Sequence, residues 1–355
     1  MEGATEEAVA GVAADAVEEA VIRISGFDSY FYLQWHINNQ CNLSCAHCYV
    51  QQRRPQLSEA DLFVVLGKYT AFLNQKGIKG RIQFSGGEPF LSGALMPLLM
   101  QAKKNGIPTR VLSNGTMITP ELASALKQTG CRTVQISIDG DSSVHNDLRG
   151  SNAFERALEG AVNLKNNNIT VTFMMTVSMC NHLSLRPVYD VSRQYADRFS
   201  FSRLVPIGTG SRMINDVLSA KETRRLFKTF LELRSDDTPP NNQISRPMRD
   251  PLWHPYFKRC NPYLLAGCSI GYNGICIDCD GTVYPCRRLP IPLGNIMRED
   301  LADIYNCEVL NRLRDRDMLK GRCGRCPLRW QCGGCRAIAY ALKGDYLQED
   351  PQCFR

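Results

Sequence analysis

Cys41, Cys45 and Cys48 lie in one short run, Gln40-Cys41-Asn42-Leu43-Ser44-Cys45-Ala46-His47-Cys48-Tyr49, separated by three residues and then two. Three thiolates so spaced can hold three irons of a 4Fe–4S cube and leave the fourth without a protein ligand. That open iron can take a substrate or cosubstrate, which separates a cluster that does chemistry from one that only passes electrons. Zinc is the competing reading. Structural zinc wants a fourth ligand and favours paired Cys-x2-Cys units, and His47, between two ligands, is badly placed to converge with them.

A second concentration of chemistry lies in the tail. The first 259 residues hold five cysteines and the last 96 hold eleven. Cys268 and Cys286 come first, then Cys323-x2-Cys326-x5-Cys332-x2-Cys335, and finally Cys353. Asp280-Gly281 signals a hairpin between Gly274–Cys279 and Thr282–Cys286, which would fix Cys286 at a strand end. A two-residue turn there would set Ile275 opposite Cys286 and face Cys276 away from it. Cys279 would share the face of Cys286 but lie toward the other end of the hairpin. Cys131, Cys180 and Cys307 read as ordinary buried thiols.

The elements that must position these groups alternate along the chain. Strand-like runs are Tyr30–Ile37, Arg81–Ser85, Thr109–Ser113, Thr133–Ile138, Thr170–Ser178 and Arg198–Leu204. Helical patterns fall between them at Ser58–Asn74, Pro120–Thr129, Ala153–Asn166 and Leu183–Tyr195, with a further helix near Ala220–Arg234. Thr119-Pro120-Glu121 combines a cap, a proline at the first helical position and an early acid. Six β/α alternations predict an α/β fold, a partial (β/α)6 TIM-like barrel with a parallel sheet, followed by a small Cys-rich domain. The working loops of such a barrel follow the carboxyl ends of the strands, and the cysteine loop follows the first strand. The boundaries expected are an N-terminal extension over 1–28 (weak helix or disordered), the barrel over 29–235, a Pro/Asn/Asp-rich linker over 236–262 and the cysteine domain over 263–355.

Composition narrows the classes. Residues 1–19 are acidic and Ala-rich with no basic n-region, so they are not a secretory signal, and no run of about 18 apolar residues marks a membrane span. A reducing cytoplasm with metal-bound thiolates fits sixteen cysteines better than a disulfide framework. The formal charge is +7, but clusters and their thiolates would contribute roughly −5, so the charge is poor evidence for nucleic-acid binding. Charge compensation for clusters also accounts for the crowding of arginines in the tail.

The loop, the turn Ser85-Gly86-Gly87-Glu88-Pro89 that ends the second strand, and the tail together resemble the radical S-adenosylmethionine (SAM) superfamily with a C-terminal SPASM domain, over about residues 30–355. The resemblance implies a SAM-binding 4Fe–4S cluster on Cys41, Cys45 and Cys48. It places His47 and Tyr49 near the nucleoside, and Gly86, Gly87 and Glu88 against the SAM amino group. Ser113, Asn114, Ser137 and Asp139 would serve ribose hydroxyls or the SAM carboxylate. Arg149, in His145-x3-Arg149-Gly150, would pair with a carboxylate, and Arg203 would lie beside the cosubstrate. Two auxiliary 4Fe–4S clusters are implied. Cys323, Cys326, Cys332 and Cys353 would hold the distal one; Cys268, Cys286 and Cys335 would hold the proximal one. Its fourth ligand is left open: Cys260 is the expectation, with Cys276, Cys279 or an open iron as alternatives. The tail departs from the usual pattern in having two residues, not three, between Cys332 and Cys335.

The leading functional expectation is modification of a ribosomally made peptide, by cross-linking or oxidation. It would require a flavodoxin- or ferredoxin-type electron donor and a separate leader-peptide-binding partner. Oxidative decarboxylation of tetrapyrrole propionates is the alternative, because the ending from Cys332 to Cys353 also resembles haem-pathway enzymes. Sulfatase maturation is disfavoured: that subgroup places an acid after the cysteine matching Cys286, where this chain has Arg287. A non-catalytic iron–sulfur or zinc scaffold is the remaining possibility. No membrane or nucleic-acid partner is expected.

Overall fold

The computed structural model describes residues 30–50, 54–235, 250–256, 268 and 270–355. The N-terminal extension, most of the linker and Cys260 lie outside the described residues.

Six strands build the first part of the sheet: β1 (Tyr30–His36), β2 (Lys79–Ser85), β3 (Thr109–Ser113), β4 (Thr133–Ser137), β5 (Thr170–Val177) and β6 (Arg198–Arg203). Each pairs in parallel with the next. The helices of the crossovers are α1 (Glu59–Lys76), α2 (Leu95–Lys104), α3 (Pro120–Gln128), α4 (Ser142–Arg149), α5 (Ala153–Asn166), α6 (Leu185–Tyr195) and α7 (Ala220–Ser235). The expected alternation is therefore present. Ser58 closes a capping box with Asp61 at the start of α1, and Thr119 accepts the Leu122 N–H at the start of α3, each satisfying an otherwise orphaned amide. The stretch His145–Arg149, outside the expected helices, lies in α4, whose start is capped by Asp141.

The strands separate two environments by their period of two. Leu33, Trp35, Ile82, Phe84, Val111, Val134, Ile136, Phe173, Phe199 and Phe201 are buried in the core. Each such side chain contributes about 1.5–3 kcal/mol of burial. The alternate positions, in register Gln34–Gln83 and His36–Ser85, then Gln135–Thr172 and Thr176–Ser202, are polar and face the concave side.

The cysteine-rich tail does not form a separate layer. Its strands β7 (Gly274–Ile277), β8 (Thr282–Tyr284) and β9 (Gly294–Asn295) extend the same sheet to nine strands, in the order β6-β5-β4-β3-β2-β1-β7-β8-β9. β7 pairs in parallel with β1, and β8 and β9 follow antiparallel. Short helices α8 (Leu301–Tyr305), α9 (Glu308–Arg314), α10 (Gly321–Arg325) and α11 (Arg336–Lys343) complete it. Part of the expected linker is packed: Trp253 stacks on Phe227 and Phe230 at 5.5 Å each.

The hairpin register differs by one residue from the expectation. Cys276 pairs with Tyr284 and Ile277 with Val283. The Gly281 amide donates to Asp278, and Gly281 takes φ +82°, which makes a three-residue connection with glycine in the left-handed position. The shift reverses the faces, so Cys276 lies on the side of Cys286.

Candidate active site

The cysteine loop leaves β1 and is held by its own intervening residues. His47 Nε2 lies 3.2 Å from Asp139 Oδ2 and 3.2 Å from Arg149 Nη2. Arg149 Nε donates to Asp139 Oδ2, and Nη1 lies 3.7 Å from Cys45 Sγ. Asp139 is fully buried. Burial raises its pKa, but Arg149 and His47 outweigh this and hold the carboxyl far below the usual range. His145 Nδ1 accepts the Asp139 amide at 3.1 Å; burial first, then Arg149, brings its pKa down to about 4. On the other side, the Tyr49 hydroxyl lies 3.3 Å from His36 Nε2, whose Nδ1 lies 3.2 Å from Asp278 Oδ1. Burial raises the Tyr49 phenol to about 12. The loop backbone is clamped by Ala46 N–H to Leu148 O and Gly210 N–H to Cys48 O. Gly208 sits so near that an added Cβ would meet Tyr49 backbone at 2.7 Å.

The Gly86-Gly87 turn has a packing use beside the one expected. A Cβ on either glycine would strike the backbone of Asn38 or Gln40, and the Gly87 and Glu88 amides donate to Asn38 O and Gln40 O. These glycines therefore let the second strand end pack against the approach to the cysteine loop, though both also border the cavity. Glu88 is fully buried, outside the cavity lining. Its Oε1 accepts from Ser113 Oγ at 2.9 Å, and its Oε2 from the Asn114 amide at 2.8 Å. Burial raises its pKa to about 7 against those hydrogen bonds. A folded-state value above the unfolded 4.5 means that folding takes up a proton between the two. Stability should thus fall as pH rises from 4.5 to about 7, and urea midpoints of Glu88→Gln should lack that part of the fall.

A cavity of about 140 Å3 opens over this loop, lined by Cys41, Cys45, Cys48, His47, Tyr49, Gly86, Gly87, Ser113, Asn114, Ser137 and Arg149. Most of the expected cosubstrate contacts are therefore brought together. Three are not. Glu88 and Asp139 are buried behind the lining as supports. Arg203 is elsewhere: its guanidinium donates to Asp250 Oδ2 at 2.7 Å, Asp350 Oδ2 at 3.0 Å and Gln352 Oε1 at 2.8 Å. It binds the last barrel strand to the chain's tail and has no donor left for a cosubstrate. Missing from the sequence expectations were Gln135, Thr176, Arg287 and Arg288 in the lining. The polar members of the strand periodicity were the available signal for the first two.

The tail thiols form two neighbourhoods. Cys268 feels Cys286, Cys335 feels Cys268, and Arg288 lies among all three. Cys332, raised to about 12 by burial first, also feels Asp350, Cys323 and Cys353. Cys276 is buried and feels Cys286, whereas Cys279 lies beside Asp278 and Asp280, its Sγ 3.7 Å from Pro55 O. Cys131 is buried, but Cys180 is exposed and Cys307 half-buried, so the buried-thiol reading holds for the first alone. Among the described residues no three His, Cys, Asp or Glu side chains converge on a single metal ion. The surroundings suit a larger anionic group. Cys41 Sγ accepts from Leu43 N–H at 3.5 Å, Cys286 Sγ from Arg288 N–H at 3.5 Å, and Cys323 Sγ from Asp350 N–H at 3.4 Å. Hydrogen bonds to sulfur of this kind tune cluster ligands. Arg316 is fully buried, and none of its three nitrogens makes a hydrogen bond of ordinary geometry, although it lies near Cys268 and Cys332. Its guanidinium lies 5.8 Å from the Tyr272 ring centroid but has no ion pair with a carboxylate among the described residues, which is costly when buried; an anionic cluster held by these thiols would satisfy it.

Comparison with known proteins agrees with this chemistry. The family model of the radical SAM superfamily matches residues 35–181, and that of an iron–sulfur cluster-binding domain, SPASM, matches residues 268–327. An AdoMet-dependent heme synthase of Methanosarcina barkeri is 30% identical over 343 residues, covering 90% of this chain and 95% of that protein. Mycofactocin maturase MftC of Mycolicibacterium smegmatis is 26% identical over 348 residues, covering 92% of this chain and 83% of that protein. A solved structure of native anSMEcpe with bound AdoMet and Cp18Cys peptide superposes with a TM-score of 0.71 at 22% identity, covering 91% of this chain and 94% of that one. No helix among the described residues is long and apolar enough to cross a membrane.

Proposed function

Because this chain belongs to the radical SAM superfamily and carries a C-terminal SPASM domain, it is an enzyme of SAM radical chemistry acting on a peptide or small molecule; we propose that the substrate is a tetrapyrrole and the reaction the oxidative loss of a propionate carboxyl. The observation that carries this reading is that Arg287, with no carboxylate partner among the described residues, shares one cavity with Cys41, Cys45 and Cys48, so that a carboxylate can be received where hydrogen is abstracted. The likeness to the heme synthase over nearly all of both chains supports it.

In this reading Cys41, Cys45 and Cys48 hold the SAM-binding cluster, and Cys268, Cys286, Cys335, Cys323, Cys326, Cys332 and Cys353 hold auxiliary ones. When bound, the first cluster and SAM supply a 5′-deoxyadenosyl radical. The protein supplies placement. Gly86, Gly87, Ser113, Asn114 and Ser137 offer small polar groups for the cosubstrate. Asp139 and His47 fix Arg149 at the edge of the same cavity. Loss of one hydrogen atom, carbon dioxide and one electron from a CH2–CH2–COO− arm leaves a vinyl group. A flavodoxin- or ferredoxin-type partner, the class that would also deliver the reducing electron, can carry that electron away.

The test is anaerobic reconstitution with iron and sulfide and reduction with limiting dithionite, followed by SAM, a porphyrin bearing propionates and oxidised flavodoxin as the electron acceptor. The expected products are 5′-deoxyadenosine, carbon dioxide and a vinyl porphyrin. Peptide modification is the second reading, favoured by the likeness to the mycofactocin maturase; it would need a separate leader-binding partner. An unchanged porphyrin beside a modified precursor peptide would move the assignment there.

A further inference from the structure

The two cavity arginines are not equivalent. Arg288 belongs to the surroundings of the tail thiols: its Nη1 donates to Arg203 O at 3.0 Å, its Nε is buried without a partner, and it lies among Cys335, Cys286, Asp250 and Cys268. Arg287 makes no ion pair with a carboxylate among the described residues. Its Nη1 donates to Gln34 Oε1 at 2.9 Å, and its guanidinium lies 5.5 Å from the centroid of the Tyr49 ring. Gln34 comes from β1, on the concave side, and Tyr49 from the end of the cysteine loop. Two donors remain unused in this pair, Arg287 Nε and Gln34 Nε2, both buried without a hydrogen-bond partner. Other arginines around the site are matched: Arg149 by Asp139, Arg203 by Asp250 and Asp350, and Arg54 by Asp278 and Asp280.

A cavity-lining guanidinium held near an aromatic ring, tethered by an amide and without a carboxylate partner among the described residues, is a receptor for an anionic oxygen pair. The tether to Gln34 limits the rotamer freedom that a long side chain would otherwise lose on binding. We propose that Arg287, held in place by Gln34 from behind the cavity lining, is the seat of a substrate propionate and fixes the tetrapyrrole by one carboxylate beside the cysteine loop. The proposal rests on the tetrapyrrole reading given above and adds the residues that select for the acid. Either the arm that reacts or its neighbour can occupy the seat; in both cases recognition requires a free carboxylate.

Binding to the iron-loaded protein tests this without turnover. Absorbance titrations would compare coproporphyrin III with its tetramethyl ester, which keeps the ring and removes the charge. The native protein is expected to prefer the acid by about ten-fold or more, the scale of a charge-assisted hydrogen bond. Arg287→Gln should remove that preference and Arg287→Lys should restore part of it. Gln34→Leu should weaken it. Because Arg287 adjoins Cys286, iron content is measured for each variant; if Arg287→Gln sheds iron, Gln34→Leu carries the test from another strand. Acid preference unchanged in the variants, or no preference in the native protein, would overturn the seat and leave the tetrapyrrole reading standing. Failure of both porphyrins to bind would overturn both.

Discussion

Cys45→Ala is expected to bring 5′-deoxyadenosine formation down to background while about two-thirds of the iron stays bound, since two of three clusters would be untouched. The effect should be local. Cys45 is half-buried, and its Sγ contacts the Arg149 guanidinium, which Asp139 and His47 hold independently. Loss of the thiol therefore leaves the surrounding network in place, and thermal unfolding of the iron-free protein should barely change. Iron assay and chromatography of the reaction mixture check the two halves separately. Loss of all iron, or continued SAM cleavage, would overturn the assignment of three separate cysteine groups.

Arg203→Met should be the most destabilising single change outside the core, by about 3–5 kcal/mol. It would strand Asp350, fully buried, and Asp250 without a cation. Asp350 is also the brace of the tail. Its Oδ2 accepts the Cys335 amide at 2.9 Å, its Oδ1 accepts the Gln352 amide at 3.0 Å, and its own amide donates to Cys323 Sγ. Both auxiliary cysteine groups thus depend on one ion pair with the sixth barrel strand. Lower urea midpoints and loss of tail iron are expected together. The pH dependence has a defined sign. Burial raises the Asp350 pKa, but Arg203 and the amides outweigh it and the net shift is downward. The stabilisation is therefore present above the ordinary carboxylate value of 3.8 and fades as acid protonates the folded form. Asp350→Asn, which keeps the shape, should cost less.

The barrel was legible because each strand carries an apolar face every second residue and some of the helices open on a readable cap. Ser58 and Thr119 are such caps, and the strand ends agree with the sequence reading to within two residues. α4 was missed because His145, Asn146 and Arg149 serve the neighbouring structure, so their side chains obscure a helical pattern. The hairpin slipped by one residue because Asp280-Gly281 suits a two-residue turn as well as the last positions of a three-residue one. Residue type also does not state direction. Glu88, Asp139 and Arg203 have the chemistry to touch a cosubstrate, yet the first two brace groups that line the cavity and the third ties the barrel to the tail. Gln34 escaped notice for the opposite reason: a single amide in an otherwise aromatic and aliphatic strand looks like an ordinary exposed position until its neighbours across the sheet are known.

The parallel pairing of β7 with β1 bears on how such enzymes can be recombined. Tyr32 to Trp35 lie against Gly274 to Ile277, so the tail is stitched into the barrel by main-chain hydrogen bonds rather than appended to it. A chimera joined near residue 263 would graft a foreign strand onto β1 and inherit whatever register that strand prefers. Simple removal of the tail would bare a hydrophobic sheet margin of the kind that invites self-association. Exchange of specificity between relatives is better attempted by substituting concave side chains than by swapping modules.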